Sequence, residues 1–495
     1  MIKNIIFDDE IVVHWEKQTF LKEKYLYRLK LNENVYFTEK THFRFKSLIP
    51  CTEYKIQLAV VDENKREIYT IDNQTIKTRE KKAVVDISKP PYNLKGDGVT
   101  LSTEVIQKAF NECGPNQIIY FPAGIYLTGA LNLHSNMEIY LCKGAILQGT
   151  ENLEDYLPKR KSRFEGIEMM CYSSLLNMGE LDYASGCNCE NIIIRGEGTV
   201  SGGGDALRKN IIELETILLK DYMESLGEAI EECEKADTIP GRARPRLINI
   251  SNTNNVVISG ITIQNGPAWN VHMIYSQNIV TYGCKFFSMG INNGDGWDPD
   301  SSENCTIFDC DFYTGDDAVA IKSGKNPEGN IINKPCKHIR IFDCRIHSGC
   351  GIAMGSEMSG GIEDVIIWDC DMEKSLYGIE VKGTKKRGGY VRNIKAYNCT
   401  LPRIMIHEVD YNNDGESSGE MPCFEDYYFQ DIIIKRNLDI PYLYKLIEFC
   451  GFDNEEHSIK NVVLKNIKLY AKSIDEAISM NFTKNITKEN FTFCK

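Results

Sequence analysis

The first eighty residues alternate apolar and polar positions with a period of two, as in Tyr25-Leu26-Tyr27-Arg28-Leu29 and Tyr54-Lys55-Ile56-Gln57-Leu58. With turn residues between the runs, that period predicts half-buried strands and a small antiparallel β-sandwich over residues 1–82. The charged stretch Lys77-Thr78-Arg79-Glu80-Lys81-Lys82 and then Pro90-Pro91 read as a linker. Beyond it, short strand-like runs recur with a cysteine at 284, 310, 344, 370 and 399, spaced by 26, 34, 26 and 29 residues. The frames are alike, for example Ile307-Phe308-Asp309-Cys310-Asp311-Phe312 and Ile341-Phe342-Asp343-Cys344-Arg345-Ile346. A repeat of this length, made of short strands and polar turns, predicts an all-β solenoid, a parallel β-helix over residues 83–495. Successive coils would lie about 4.8 Å apart, so equivalent residues form ladders, and the cysteines become a buried ladder of small apolar side chains. Arg208 to Ala236 breaks the rhythm. There Ile212, Leu214, Ile217, Leu218, Tyr222, Leu226 and Ile230 recur at three and four, which predicts a helical insertion near 207–236 whose apolar stripe packs on its own domain.

Composition narrows the partners. Fifty-seven Lys+Arg against 70 Asp+Glu leave a net charge of −13, which argues against general affinity for nucleic acid or anionic membrane. No apolar run approaches the roughly 18 residues of a membrane span, and the amino terminus is acidic where a signal peptide would be apolar. The expectation is a soluble cytoplasmic protein, with secretion left open if the sequence is trimmed. Eighteen cysteines include no CxxC pair, so neither a zinc ribbon nor a disulfide scaffold fits, and no metal or other cofactor is expected.

Chemistry concentrates in two segments, Asn293-Gly294-Asp295-Gly296-Trp297-Asp298-Pro299-Asp300 and Thr314-Gly315-Asp316-Asp317-Ala318-Val319-Ala320-Ile321-Lys322. Asp295 precedes Asp316 and Asp317 by about one coil, so three carboxylates should converge on one face. Like charges that close raise one another's pKa, which lets one donate a proton while another stays ionised. Glycosidic hydrolysis needs that division between an acid and a base. A lone Asp would be read as a turn residue, as Asp309, Asp343 and Asp369 are.

From about Val84 onward the chain resembles glycoside hydrolase family 28, the polygalacturonases and their relatives. The resemblance rests on Asn293 and Asp295 as its Asn-x-Asp motif, on Gly315-Asp316-Asp317 as its Gly-Asp-Asp motif, and on Gly355-Ser356-Glu357-Met358-Ser359-Gly360-Gly361. The segments Leu94-Lys95-Gly96-Asp97-Gly98 and Phe121-Pro122-Ala123-Gly124 look like the start shared by pectin-degrading β-helices. The resemblance implies a right-handed β-helix and inverting hydrolysis of α-galacturonosyl bonds without a metal. Asp316 would then be the general acid, and Asp295 and Asp317 would hold and deprotonate the attacking water. The first eighty residues loosely resemble a fibronectin type III module, through Trp15 and a corner-closing Tyr54.

Two positions depart from the polygalacturonase pattern. Gly349-Cys350-Gly351 stands where the family has Gly-His-Gly, and Glu380-Val381-Lys382 where it has Arg-Ile-Lys. The family Arg pairs with a galacturonate carboxylate on the leaving-group side, so Glu380 there would repel an acidic sugar and favour a neutral one. Lys382 begins a basic run with Lys385, Lys386, Arg387 and Arg392, a candidate uronate contact. Asn293, Lys322, Lys382, Glu380, Arg387, His272 and Cys350 complete the candidate substrate-binding set. His347 could take the missing histidine's role, and Trp269 could lie near the cleft. The expected activity is an exo-acting hydrolase of acidic pectin-derived chains. A rhamnogalacturonan hydrolase of the same family, a non-catalytic polysaccharide-binding β-helix and a calcium-dependent lyase remain as alternatives.

Overall fold

In the computed structural model all residues are described except 22–23, 234–236, 411–414, 441–442 and 495. Contacts divide the chain into two units, Met1–Val84 with Asn116–Ile118, and Val85–Pro115 with Ile119–Lys495. The first unit holds a three-stranded and a four-stranded antiparallel sheet. The period of two sends Tyr27, Leu29 and Leu31 on one strand, and Ile56, Leu58 and Val60 on the next, into a core shared with Trp15. The Tyr54 hydroxyl accepts a hydrogen bond from the Ile49 N–H at 2.9 Å and so closes the corner before its strand.

The second unit is a right-handed parallel β-helix built of sheets of 14, 8 and 11 strands. In the 14-stranded sheet Tyr282, Phe308, Phe342 and Trp368 stack in turn with ring centroids 5.1, 4.8 and 4.3 Å apart. The cysteine frame now has a physical cause. Asp309, Asp343 and Asp369 take φ of 53°, 50° and 54°, a left-handed turn that Asp tolerates. The following Cys310, Cys344 and Cys370 are buried, and each thiol donates to the carbonyl two residues earlier at 3.3–3.4 Å. A small side chain with one weak donor fits that corner on every coil.

The helical insertion differs from the expectation in its first residue and in its packing. It runs Gly204–Leu218, Lys220–Leu226 and a 3₁₀ turn Gly227–Glu232, and Ala236 lies outside the described residues. Leu207 and Ile211 enter the core, whereas Ile217, Leu218 and Tyr222 are exposed. Only the first turns pack, so the apolar stripe is not covered along its length.

Candidate active site

The 11-stranded sheet presents the charged residues. Its strands Trp297–Asp300, Val319–Ile321, Gly351–Met354, Gly378–Gly383 and Ile404–Glu408 pair in parallel, with Trp297 opposite Val319, Val319 opposite Ile352 and Ile352 opposite Ile379. These four are buried, so alternation puts Asp298, Asp300, Lys322, Glu380 and Lys382 on the other face. Two residues ahead of the inward positions stand Asp295, Asp317 and Cys350, stacked as equivalents. The ladder between them continues through Gly296 N–H to Asp317 O at 3.0 Å and Cys350 N–H to Asp316 O at 2.9 Å. Gly315 allows this turn, because a Cβ there would meet the Ser288 and Ile291 carbonyl oxygens at 2.6 Å.

A cleft forms over these residues, lined among others by Trp269, Asn293, Asp295, Asp316, Asp317 and Lys382. Lys322 also lines it, its Nζ 3.2 Å from Asp295, 3.9 Å from Asp298 and 3.5 Å from the centre of the Trp269 ring. Lys382 Nζ lies 3.5 Å from Asp317 and 3.0 Å from Glu380, and Glu380 meets His407 Nε2 at 2.8 Å. The Cys350 thiol donates to Asp316 Oδ1 at 3.5 Å. Burial pushes the Asp317 carboxyl up to about 7; Lys382 opposes the rise and Asp316 and Glu380 add to it. Burial also raises Asp295 well above the usual carboxylate range, against Lys322 and with help from Asp298, Asp316 and Asp317. Burial works against the Lys322 ammonium, yet Asp295, Glu357 and Asp298 hold its pKa above the ordinary lysine value. The site therefore keeps Lys322 charged and lets the buried Asp295 and Asp317 carboxyls retain protons toward neutrality. Asp316, Asp317 and Cys350 bring donor atoms within 4.8 Å of one another and are the residues here that could share an ion.

A β-hairpin, Arg160–Phe164 with Ile167–Cys171, lies over this face of the solenoid. Phe164 stacks on Trp269 with centroids 4.6 Å apart, and Arg163 Nη1 binds Asp300 at 2.7 Å. Ser162 accepts from Arg246 at 2.7 Å, and the Gly166 carbonyl accepts from Lys325 N–H at 3.0 Å. The turn residue Glu165, held by Arg242 Nε at 2.8 Å, forms part of the cleft wall. Arg244 comes from the same segment; its Nη2 donates to Asn293 Oδ1 at 2.8 Å.

Asn293, Asp295, Asp316, Asp317, Lys322, Lys382 and Trp269 are thus brought together, and Cys350 joins them through Asp316. Several expected substrate contacts are not. Arg387 is fully buried, its guanidinium bound to Ser356 O and Asn326, so it supports the Ser356–Glu357 wall from behind instead of forming a surface basic patch. Lys385 pairs with Glu408, Lys386 with Glu232 and Arg392 with Glu363. His272 is fully buried beneath Trp269 and binds Asp300 at 3.2 Å, so it orders the floor. His347 stacks on Tyr313 and binds Asp311 at 2.9 Å on another sheet, and it is Cys350 that contacts Asp316. Glu380 does not stand as a lone anion: Lys382 and then His407 outweigh its burial and lower its pKa to about 2. Repulsion of an acidic sugar, worked for an unpaired charge, does not follow once the charge is matched. The hairpin and His407 escaped the sequence reading, and Glu357 entered it only as part of the Gly355–Gly361 segment, although the alternation Arg242-Ala243-Arg244-Pro245-Arg246 signals three arginines on one face.

Residues 159–435 match the family model "Glycosyl hydrolases family 28". An exo-poly-alpha-D-galacturonosidase of Dickeya chrysanthemi is 26% identical over 423 residues, covering 80% of this chain and 69% of that protein. A probable polygalacturonase of Vitis vinifera is 32% identical over 319 residues, covering 62% of this chain and 58% of that one. Among solved structures, a family 28 exopolygalacturonase of Yersinia enterocolitica shares the fold with a TM-score of 0.85 at 20% identity, over 100% of this chain and 97% of that one. An exopolygalacturonase of Thermotoga maritima superposes with a TM-score of 0.66 at 26% identity, over 83% and 91%.

Proposed function

The chain belongs to glycosyl hydrolases family 28 and is a glycoside hydrolase, and from that premise we propose that it is an exo-acting polygalacturonase. The observation that carries this reading is the hairpin Arg160–Cys171. It lies over the sheet that bears the carboxylates, and its turn residue Glu165 is in the cleft wall with them. A hairpin that closes one end of the cleft would admit a chain end and not a chain interior. The relatives named for exo action agree with it.

In the reaction, Asp316 is the half-exposed member of the trio and gives its proton to the glycosidic oxygen as the bond to the anomeric carbon breaks. Asp295 and Asp317 hold a water on the opposite face and take its proton as it attacks, so configuration inverts. Each has one buried oxygen without a hydrogen-bond partner among the described residues, Oδ1, suited to that water. Close carboxylates share protons, so the proton kept by the buried pair is available to the trio. Lys322 and Lys382 stabilise the ionised base. Eighteen free cysteines suit a reducing compartment, which favours action inside a cell on oligosaccharides. The amino-terminal unit is read as a spacer.

Viscometry of polygalacturonate alongside a reducing-end assay tests the exo reading. Viscosity should fall slowly while reducing ends accumulate. A rapid early collapse of viscosity would mean internal cleavage and an open cleft.

A further inference from the structure

We propose that His407 is a positioning residue for catalysis, acting through Glu380 to place the Lys382 ammonium over the Asp317 carboxylate. The inference rests on the hydrolase reading above and adds a residue outside its motifs.

Three contacts in series carry it: His407 Nε2 to Glu380 at 2.8 Å, Glu380 to Lys382 Nζ at 3.0 Å, and Lys382 Nζ to Asp317 at 3.5 Å. Register brings Glu380, Lys382 and His407 to one face. Glu380 and Lys382 are two apart on one strand and share its face, and His407 lies directly opposite Lys382 on the next coil. Glu380 and Asp317 therefore compete for one ammonium, and Glu380, at the shorter distance, holds the advantage. His407 gives Glu380 a second donor, which lessens its pull on Lys382. Without that donor, the buried Glu380 carboxylate would have Lys382 as its remaining ion-pair partner among the described residues and draw it from Asp317.

The surroundings leave this balance to the same few groups. Around Asp317 the charges are Lys382, Asp316, Glu380 and Lys322, with Asp295, Asp298 and Cys350 nearby. Around His407, the strand below supplies Glu380 and Lys382, and the strand above places Cys450 opposite it. Glu408 is engaged by Lys385, and Glu448 by Arg403.

An opposite charge within about 4–6 Å lowers a carboxyl pKa by roughly 1–3 units, so partial withdrawal of Lys382 should raise Asp317 by about 0.5–1. A base that binds its proton more tightly is less often ionised. His407→Ala should therefore lower kcat on trigalacturonate about three- to tenfold below neutral pH, leave KM within about twofold, and move the acid limb of the pH profile, which the base sets, up by about 0.5–1 unit. Glu380→Gln releases Lys382 to Asp317 and should move that limb down. His407→Gln restores an amide donor and should keep the wild-type limb.

Opposite shifts from His407→Ala and Glu380→Gln support the proposal. Shifts in the same direction, or a kcat loss with an unmoved limb, would overturn it, since a merely structural residue has no reason to move the limb by sign. An NMR titration of aspartate-labelled wild type and His407→Ala reads the Asp317 change without substrate. If wild type is inactive on galacturonate oligomers yet this titration shows the upward shift, the substrate reading fails and the positioning role stands. If the titration shows no shift, the positioning role fails whatever the activity.

Discussion

Replacing Asp317 by asparagine should stabilise the protein at neutral pH while removing its activity. Asp317 is only 5% exposed, and burial raises its carboxyl from the ordinary 3.8 to about 7, despite Lys382 at 3.5 Å. Because the folded pKa lies above the unfolded one, the native state keeps a proton that the unfolded chain has released between about pH 4 and 7. The group's contribution is fully present below about pH 4 and is lost as pH rises through about 7. Three units at 1.36 kcal/mol each set a ceiling of about 4 kcal/mol. Asparagine keeps the shape without the charge but gives up the attraction to Lys382, so a gain of about 1–3 kcal/mol at pH 8 is expected. With an unfolding entropy of about 2.1 cal/mol/K per residue over roughly 400 residues, this is a rise in Tm of about 1–4 °C. Thermal unfolding of both proteins from pH 3.5 to 8.5 measures it. The curves should coincide at the acid end and separate upward for the variant. A variant less stable at pH 8, or a gap independent of pH, would refute the claim that Asp317 is strained by buried charge.

Asp316→Asn should lower kcat at least about a hundredfold, the low end for general acid catalysis, with the circular dichroism spectrum and thermal unfolding unchanged. Arg163→Ala would leave the buried Asp300 carboxylate without its strongest partner, which costs about 3–5 kcal/mol. Denaturant unfolding should show that loss, and product chromatography should show longer fragments if the hairpin limits the cleft. A chelator should leave the initial rate unchanged, and no product absorbing in the ultraviolet should form; loss of rate with such absorbance in its absence would mean a calcium-dependent lyase.

The solenoid was legible because its signal is local and repeated. An Asp-Cys corner recurs on coil after coil, and each instance reports the same left-handed turn and the same thiol-to-carbonyl contact. The carboxylate trio was legible because its members lie 21 and 22 residues apart, about one coil, so sequence spacing fixes spatial proximity. The hairpin was not. Arg163 meets Asp300 across 137 positions, and Lys159-Arg160-Lys161-Ser162-Arg163 reads as a solvated polar run until Trp269 and Asp300 are placed beneath it. Arg387 misled for the same reason, because charge in a sequence says nothing about an interior carbonyl that will receive it. Glu380 misled because its partner His407 is fixed by the register between coils, which the substitution at one motif position does not reveal.

The most direct test of the account is proton NMR of the first product released from an α-linked galacturonate oligomer. An inverting enzyme that works from a chain end should release one short product, present initially as the β-anomer, while the remaining chain shortens by the same step. Initial appearance of the α-anomer, or a spread of fragment lengths from the earliest time, would contradict it.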